Sequence, residues 1–207
     1  MRQPSIILYI LLFMLLAILP TSAVVRGGVE YSIPIDYSKL SEKEIEIKAR
    51  NYFHNATKIK DGKIEEDLTN ALMLYNILQH LNPENIEYAV RLGALYDKLS
   101  MDRYAKGYYS KAIGIDKSSP YGYFYFGEYY YKRERYKKAL SYYKEALNRG
   151  LENDYELNFK MGDIYEKFGD TERSLIHLKK SFEQSPNPDL ELKIQRVEKL
   201  DAINKEF

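Results

Sequence analysis

Ala71, Ala105 and Ala139 stand 34 residues apart, and Gly93 and Gly127 repeat the same interval. A fixed period of about 20–50 residues with small residues in phase marks a row of like helical hairpins. Each unit in such a row buries its apolar face only against its neighbours. The period therefore sets the architecture, and it points to a binding surface in preference to a catalytic pocket.

The phases continue through the chain. Leu92-Gly93 is followed by Tyr96, Ala105, Tyr109 and Ala112. One period later Phe126-Gly127 is followed by Tyr130, Ala139, Tyr143 and Ala146, with every spacing kept. A looser copy begins at Met161-Gly162, 35 residues on, and continues with Tyr165, Ser174, Leu178, Ser181 and Pro186. Gly or Ala is needed where two helix axes approach closely, because a larger substituent would hold the backbones apart; aromatic residues fill the space one turn away.

This succession of Leu-Gly, Tyr, Ala, an aromatic residue, Ala and a closing Pro resembles the tetratricopeptide repeat over roughly residues 41–186. Departures fall mainly at the closing proline, which is Lys117 and Leu151 in the middle copies but Pro83 and Pro186 in the flanking ones. The resemblance implies an all-α fold, a right-handed α-solenoid of tetratricopeptide-like hairpins with a C-terminal capping helix. It divides the chain into a degenerate first hairpin (41–84), three repeats (85–118, 119–153 and 154–187) and a cap (188–207). Pro120 is placed to open the helix that follows it.

The degenerate hairpin pairs an amphipathic stretch over Ser41–Thr57, opened by a Ser41-Glu44 capping box, with the run Ala71, Tyr75, Leu78, Pro83. Asp61-Gly62 is a turn signal between them, in a connection about ten residues longer than elsewhere. After Pro188, the apolar residues Leu190, Ile194 and Val197, then Leu200 or Asp201, recur at helical spacing. A helix there is expected to close the last repeat with a polar outer face; a docking helix for a partner is the rival reading.

The N-terminus differs in character. Arg2 precedes an uncharged run from Ile6 to Leu19, and Pro20-Thr21-Ser22-Ala23 follows, the order of a signal peptide cleaved after Ala23. The run is short for a membrane span of roughly 20 residues, yet Ala23, Val24 and Val25 could lengthen it, so an uncleaved anchor is the alternative for residues 1–23. Either way the rest of the chain is expected outside the cytoplasm, whether periplasmic, secreted or anchored facing outward. Residues 24–40 read as an extended tether, with a short strand at Tyr31, Ile33 and Ile35 as the alternative. Cysteine is absent, so the repeat core must suffice without disulfides, and no lipoprotein anchor is available.

Charge and motif content argue against several functions. Net charge is close to zero, which gives no general field for nucleic acid or an anionic surface. The one basic cluster, Lys132-Arg133-Glu134-Arg135 with Lys137-Lys138, falls at a turn and reads as a solvated knob. His54, His80 and His177 are isolated, and neither a Gly-rich phosphate loop nor a nucleophile elbow is present. No catalytic residue, metal or cofactor is expected.

Tyrosine is where composition departs from the norm, with twelve of 21 between Tyr104 and Tyr143. Tyr123, Tyr130, Tyr136 and Tyr143 fall at phases where the resembled family keeps large core residues. In that family the first helices line a concave groove. The inward positions implied here are Glu87, Val90, Ala94, Asp97 and Lys98; then Tyr121, Phe124, Glu128, Tyr131 and Lys132; then Glu156, Phe159, Asp163, Glu166 and Lys167. The groove candidates are accordingly Tyr121, Phe124, Glu128, Tyr131, Lys132, Phe159, Asp163 and Glu166. Tyrosine is a frequent hot-spot residue, and the neighbouring acids suit an apolar peptide or protein with some positive charge. The family variant that holds a C-terminal carboxylate uses Lys, Asn and Arg where this chain is aromatic or acidic. The resemblance implies a non-catalytic protein-binding scaffold, exported on the reading of the N-terminal segment, and the two together extend to assembly of an envelope or secretion complex. Its rivals are self-association through the tyrosine-rich surface and, from another class, an enzyme or small-ligand binder.

Overall fold

Helix starts and stops in this chain are written by short polar side chains and by one repeated turn. The computed structural model describes residues 37–57 and 64–206; the leader, the tether up to residue 36 and the Asp61-Gly62 turn lie outside the described residues. Tyr37–Lys39 form a single 3-10 turn. Beyond it, the described residues form nine helices and no strand: α1 Glu42–Thr57, α2 Ile64–Leu81, α3 Ile86–Lys98, α4 Asp102–Ile115, α5 Tyr121–Tyr131, α6 Tyr136–Ala146, α7 Tyr155–Lys167, α8 Thr171–Gln184 and α9 Pro188–Glu206.

Ser41 opens α1 through the expected capping box: its amide donates to Glu44 at 2.8 Å while its Oγ faces the Glu44 amide at 3.4 Å. Asn85, Asp154 and Asp170 accept from first-turn amides of α3, α7 and α8. Pro120 directly precedes α5, and Pro188 is the first residue of α9. Within three hairpins the turn between helices is the same motif. Ser100, Glu134 and Gly169 have φ of 57°, 56° and 75°. The amides of Met101, Arg135 and Asp170 reach back to the carbonyls of Tyr96, Tyr130 and Tyr165 at 2.9–3.0 Å. This is a Schellman closure, with a left-handed residue just past the helix end.

The helices pair as α1 with α2, α3 with α4, α5 with α6 and α7 with α8, and α9 lies on α8. Each of the last three pairs closes on a glycine. A Cβ on Gly93 would stand 2.8 Å from the Tyr109 ring, one on Gly127 2.5 Å from the Tyr143 ring, and one on Gly162 2.7 Å from Leu178. Ala105, Ala112, Ala139 and Ala146 are fully buried at the same contacts. In the looser copy the serines keep the small size and satisfy their hydroxyls, Ser174 donating to the Gly162 carbonyl at 2.9 Å and Ser181 to the Tyr155 carbonyl at 2.8 Å.

Much of the tyrosine surplus is used inside the hairpins. Tyr96 stacks on Tyr108, Tyr130 on Tyr142 and Tyr165 on His177, with centroids 5.3–5.5 Å apart and planes within 12°. The one-residue lengthening of the last period lies between Ala146 and Gly162. It is absorbed by a π-turn over Leu147–Leu151 that turns at Gly150, φ 112°. At the C-terminal end Leu190, Ile194 and Val197 of α9 bury against Leu178, with Phe159, Leu175 and Phe182 at the margin. Asp201, not Leu200, faces inward and accepts from Thr171 Oγ1 at 2.7 Å. The outer side of this cap is less polar than expected, since Leu192, Leu200 and Ile203 are exposed.

Two consequences are measurable. Gly127→Ala should cost about 2 kcal/mol by overpacking against Tyr143. Gly107→Ala, in mid-helix with nothing within 4 Å of the added carbon, should stabilise by about 0.5–1 kcal/mol; equal effects of the two in denaturant titrations would contradict the packing described. His177 is held down at about 4 by burial and by the nearby Lys180 and Lys144 charges. Its Nδ1 donates to Asn158 Oδ1 at 2.9 Å, the Asn158 amide nitrogen being spent on the carbonyls of Glu152 and Asp154. The folded-state value lies below the ordinary one, so as pH falls from about 6.5 toward about 4 the unfolded chain takes the proton first and stability drops, by at most about 3 kcal/mol. His177→Tyr, which reproduces the stacks of the preceding hairpins, should flatten that part of the pH–stability curve.

Candidate functional site

Helical phase places side chains of successive first helices in rows across α3, α5 and α7: Glu87, Tyr121 and Glu156; Val90, Phe124 and Phe159; Arg91, Tyr125 and Lys160; Ala94, Glu128 and Asp163; Asp97, Tyr131 and Glu166. Side chains from neighbouring hairpins meet along this wall. Arg50 of α1 reaches Glu87 at 3.0 Å, Tyr131 Oη donates to Asp163 at 2.6 Å, and Lys160 lies 3.6 Å from Glu128.

The expected groove residues divide sharply. Tyr121, at the first position of α5, is 55% exposed. Phe124, expected to face a groove, is only 8% exposed and belongs to the core, packed against Tyr125 and Tyr143. Its row runs along the seam between hairpins, where Val90 is equally buried. Tyr131 is half-buried, its hydroxyl pushed up by burial and by the hydrogen bond to Asp163. Lys132 is exposed at the end of α5.

The acids are largely spent. Glu128 accepts a short hydrogen bond from Tyr143 Oη as well as pairing with Lys160. Asp163 receives Lys193 at 2.6 Å and has Lys167 at 3.7 Å; burial would raise its carboxyl, but Lys193 and Tyr131 together bring it below its ordinary value. Glu166 takes Lys193 at 3.0 Å and Arg196 at 2.6 Å. Phe159 is half-buried beneath Lys193, whose ammonium sits 5.3 Å from the ring centre. The cap helix α9 thus lays two cations on the acids of α7, and the Lys193 side chain is only 17% exposed. The apolar spacing that identifies the cap says nothing of these charges, although Lys193 and Arg196, three apart, mark a basic face in the sequence. Arg133 of the basic turn cluster is likewise no solvated knob. It binds Asp97 and Asp102, both at 2.6 Å, and covers the Tyr129 ring, tying the second hairpin to the third.

One wall carboxylate is left over. Arg91 stays on Glu87 at 3.3 Å, the pairing expected four residues apart on a helix. The equivalent Lys160 turns away from Glu156 to Glu128 and to the Tyr131 ring, 4.4 Å from its centre. Glu156 is half-buried and forms neither an ion pair nor a side-chain hydrogen bond among the described residues. Burial and the nearby Glu128 push its carboxyl above the ordinary range. Beside it, the half-buried Tyr125 of α5 lies within electrostatic range of Arg91 and Glu87 of α3, Glu156 of α7 and Tyr121 of its own helix.

This part of the wall has an exposed ring, a second, half-buried ring and a carboxylate held in no ion pair, with Lys160 and Lys132 near enough to act on it. It can receive a cation with an apolar stem, and it offers no nucleophile with an adjacent base. No group of three or more residues suited to hold a metal ion occurs among the described residues.

Residues 155–188 match the tetratricopeptide repeat family. Among curated proteins none matches this chain in sequence. Solved structures similar to it include the MamA protein (17% identity over 78% of this chain and 86% of that one, TM-score 0.56). PilW, described as a widely conserved type IV pilus biogenesis factor, is 19% identical over 76% of this chain and 70% of that one, TM-score 0.59. PilF of Pseudomonas aeruginosa is 15% identical over 74% and 69%, TM-score 0.59. The repeated glycine contacts, the repeated turn and these likenesses agree: the chain has the fold of a tetratricopeptide-repeat α-solenoid, closed by a C-terminal helix, with the family match itself lying over residues 155–188.

Proposed function

We propose that this chain is an exported, non-catalytic scaffold that captures a protein partner on the first-helix wall at Tyr121, Tyr125 and Glu156, and that it serves in assembling an envelope or secretion complex. The observation that carries the reading is Glu156. Every other carboxylate in the wall rows is engaged by a cation or hydroxyl of the chain itself, whereas this one is desolvated, opposed by Glu128 and left open beside an exposed tyrosine. A lysine or arginine on an apolar peptide segment would satisfy both features, its stem on the rings and its charge on the carboxylate. Export is supported by the order Arg2, Ile6–Leu19, Ala23, and an envelope role by the likeness to PilW.

Self-association through the tyrosine-rich segment has less to stand on. Of the tyrosines between Tyr104 and Tyr143 only Tyr104 and Tyr121 are exposed, because the others are stacked or bonded within the hairpins. A small-ligand site finds no enclosure in the shallow polar depression lined by Phe168, Asp170, Thr171, Glu172, Asp201 and Lys205.

Glu156→Gln separates stability from capture. The Glu156 value in the folded chain lies above its ordinary one, so wild-type stability is lost as pH rises through that interval. The glutamine variant should therefore be more stable than wild type at neutral pH, the difference vanishing in acid. The same substitution should weaken capture. A photo-crosslinker at Tyr121 in the full chain should give adducts to a discrete partner in the native envelope that disappear in a Glu156→Lys background. Adducts indifferent to Glu156, or obtained equally from a crosslinker at Lys111, would remove the wall from consideration.

A further inference from the structure

The second helices carry a different charge pattern. On α4, Arg103, Lys106 and Lys111, and on α6, Lys137, Lys138 and Lys144, are all exposed. None of the six forms an ion pair or a hydrogen bond among the described residues. The only acids of these two helices are already held by arginines from elsewhere, Asp102 by Arg133 and Glu145 by Arg149. Lys144 and the exposed Lys180 of α8 both lie within electrostatic range of His177.

Two further features distinguish this face from an ordinary solvated one. Gly107 and Gly114 sit one above the other on α4 with open space where a Cβ would be, so no internal packing accounts for them. Ser110 and Ser141 keep the ground between the cations low. Tyrosines stand among the cations: Tyr104 is 53% exposed, and Tyr108 and Tyr142 are half-buried in the hairpin stacks with Lys138 reaching over Tyr130.

We propose that the α4–α6 face docks on an anionic lipid surface, its lysines and Arg103 on the headgroup phosphates and Tyr104 at the boundary with the acyl region. Long-stemmed cations interleaved with tyrosine are the mixture that suits a membrane interface, where apolar bodies and polar tips are both accommodated. A purely electrostatic partner would make no use of the exposed ring. The apolar run Ile6–Leu19 of the same chain gives an independent reason for lipid to be near. This surface is separate from the first-helix wall and does not rest on the proposal for it.

Full-length protein floated with phosphatidylcholine vesicles, with and without phosphatidylglycerol, tests the assignment, the neutral vesicles giving the baseline set by the N-terminal run. Wild type should bind more tightly when phosphatidylglycerol is present, and less so at high salt. Combining Lys111→Gln, Lys137→Gln and Lys144→Gln should reduce that gain at least about tenfold, while Lys43→Gln, Lys98→Gln and Lys199→Gln together leave it, both triples matching wild type in helicity and melting temperature. The proposal is overturned if the first triple keeps the gain, if wild type shows none, or if the same lysines bind an oligonucleotide while the vesicles show no difference.

Discussion

The contact on which everything else rests is the approach of a tyrosine or leucine side chain to a glycine backbone inside each of the last three hairpins. With no Cβ at Gly93, Gly127 or Gly162, the second helix can lie against the first at a distance a methyl group would forbid. That distance sets which residues one turn along become neighbours. It brings Tyr96 over Tyr108 and Tyr130 over Tyr142, and it lets a single Schellman turn join the helices three times. The wall rows inherit their spacing from the same contact, because a hairpin that opened would shift its first helix relative to the next. A chain without cysteine has no covalent means to restore that register.

The parts of this structure legible in the sequence are those decided by size. Small residues at a fixed period have only one steric explanation, and the extra residue between Ala146 and Gly162 is visible as a 35-residue interval even though its form, a π-turn, is not. What could not be read is where long charged side chains end. Lys160 and Arg91 occupy equivalent phases, yet one pairs along its own helix and the other crosses to the preceding hairpin. Arg133 sits in a run that reads as a solvated knob and instead holds two carboxylates. Phase fixes the root of a side chain and leaves four or five torsions open, so the partner is chosen by the whole neighbourhood. Phe124 is the same lesson for an apolar residue: its phase points toward the wall, but the seam between hairpins is deep enough there to bury it.

The wall therefore has to be judged by what remains after internal pairing. Counting acids at inward positions suggests a broadly negative groove. Once Lys160, Lys193, Arg196 and the hydroxyls of Tyr131 and Tyr143 are placed, most of that charge is consumed in ties within and between hairpins and to the cap helix. Such ties trade desolvation against attraction and do more for register than for net stability. Glu156 departs from the pattern because its own helical partner is used elsewhere, so that a partly desolvated carboxylate stands on the wall without an ion pair, a local inconsistency among otherwise paired acids.

Net charge is a poor guide to such a molecule for a geometric reason. A hairpin solenoid is two helices thick, roughly 20 Å from the first-helix wall to the second-helix face, while charges in physiological salt are screened over about 8 Å. A partner at either face senses only the charges on that face. The chain as a whole is nearly neutral, yet helical phase sends unpaired cations of α4 and α6 outward and leaves the unpaired carboxylate of α7 on the wall. Neutrality summed over both faces cancels two fields that no single ligand ever experiences together, and the sign of each has to be counted helix by helix after the internal pairs are removed.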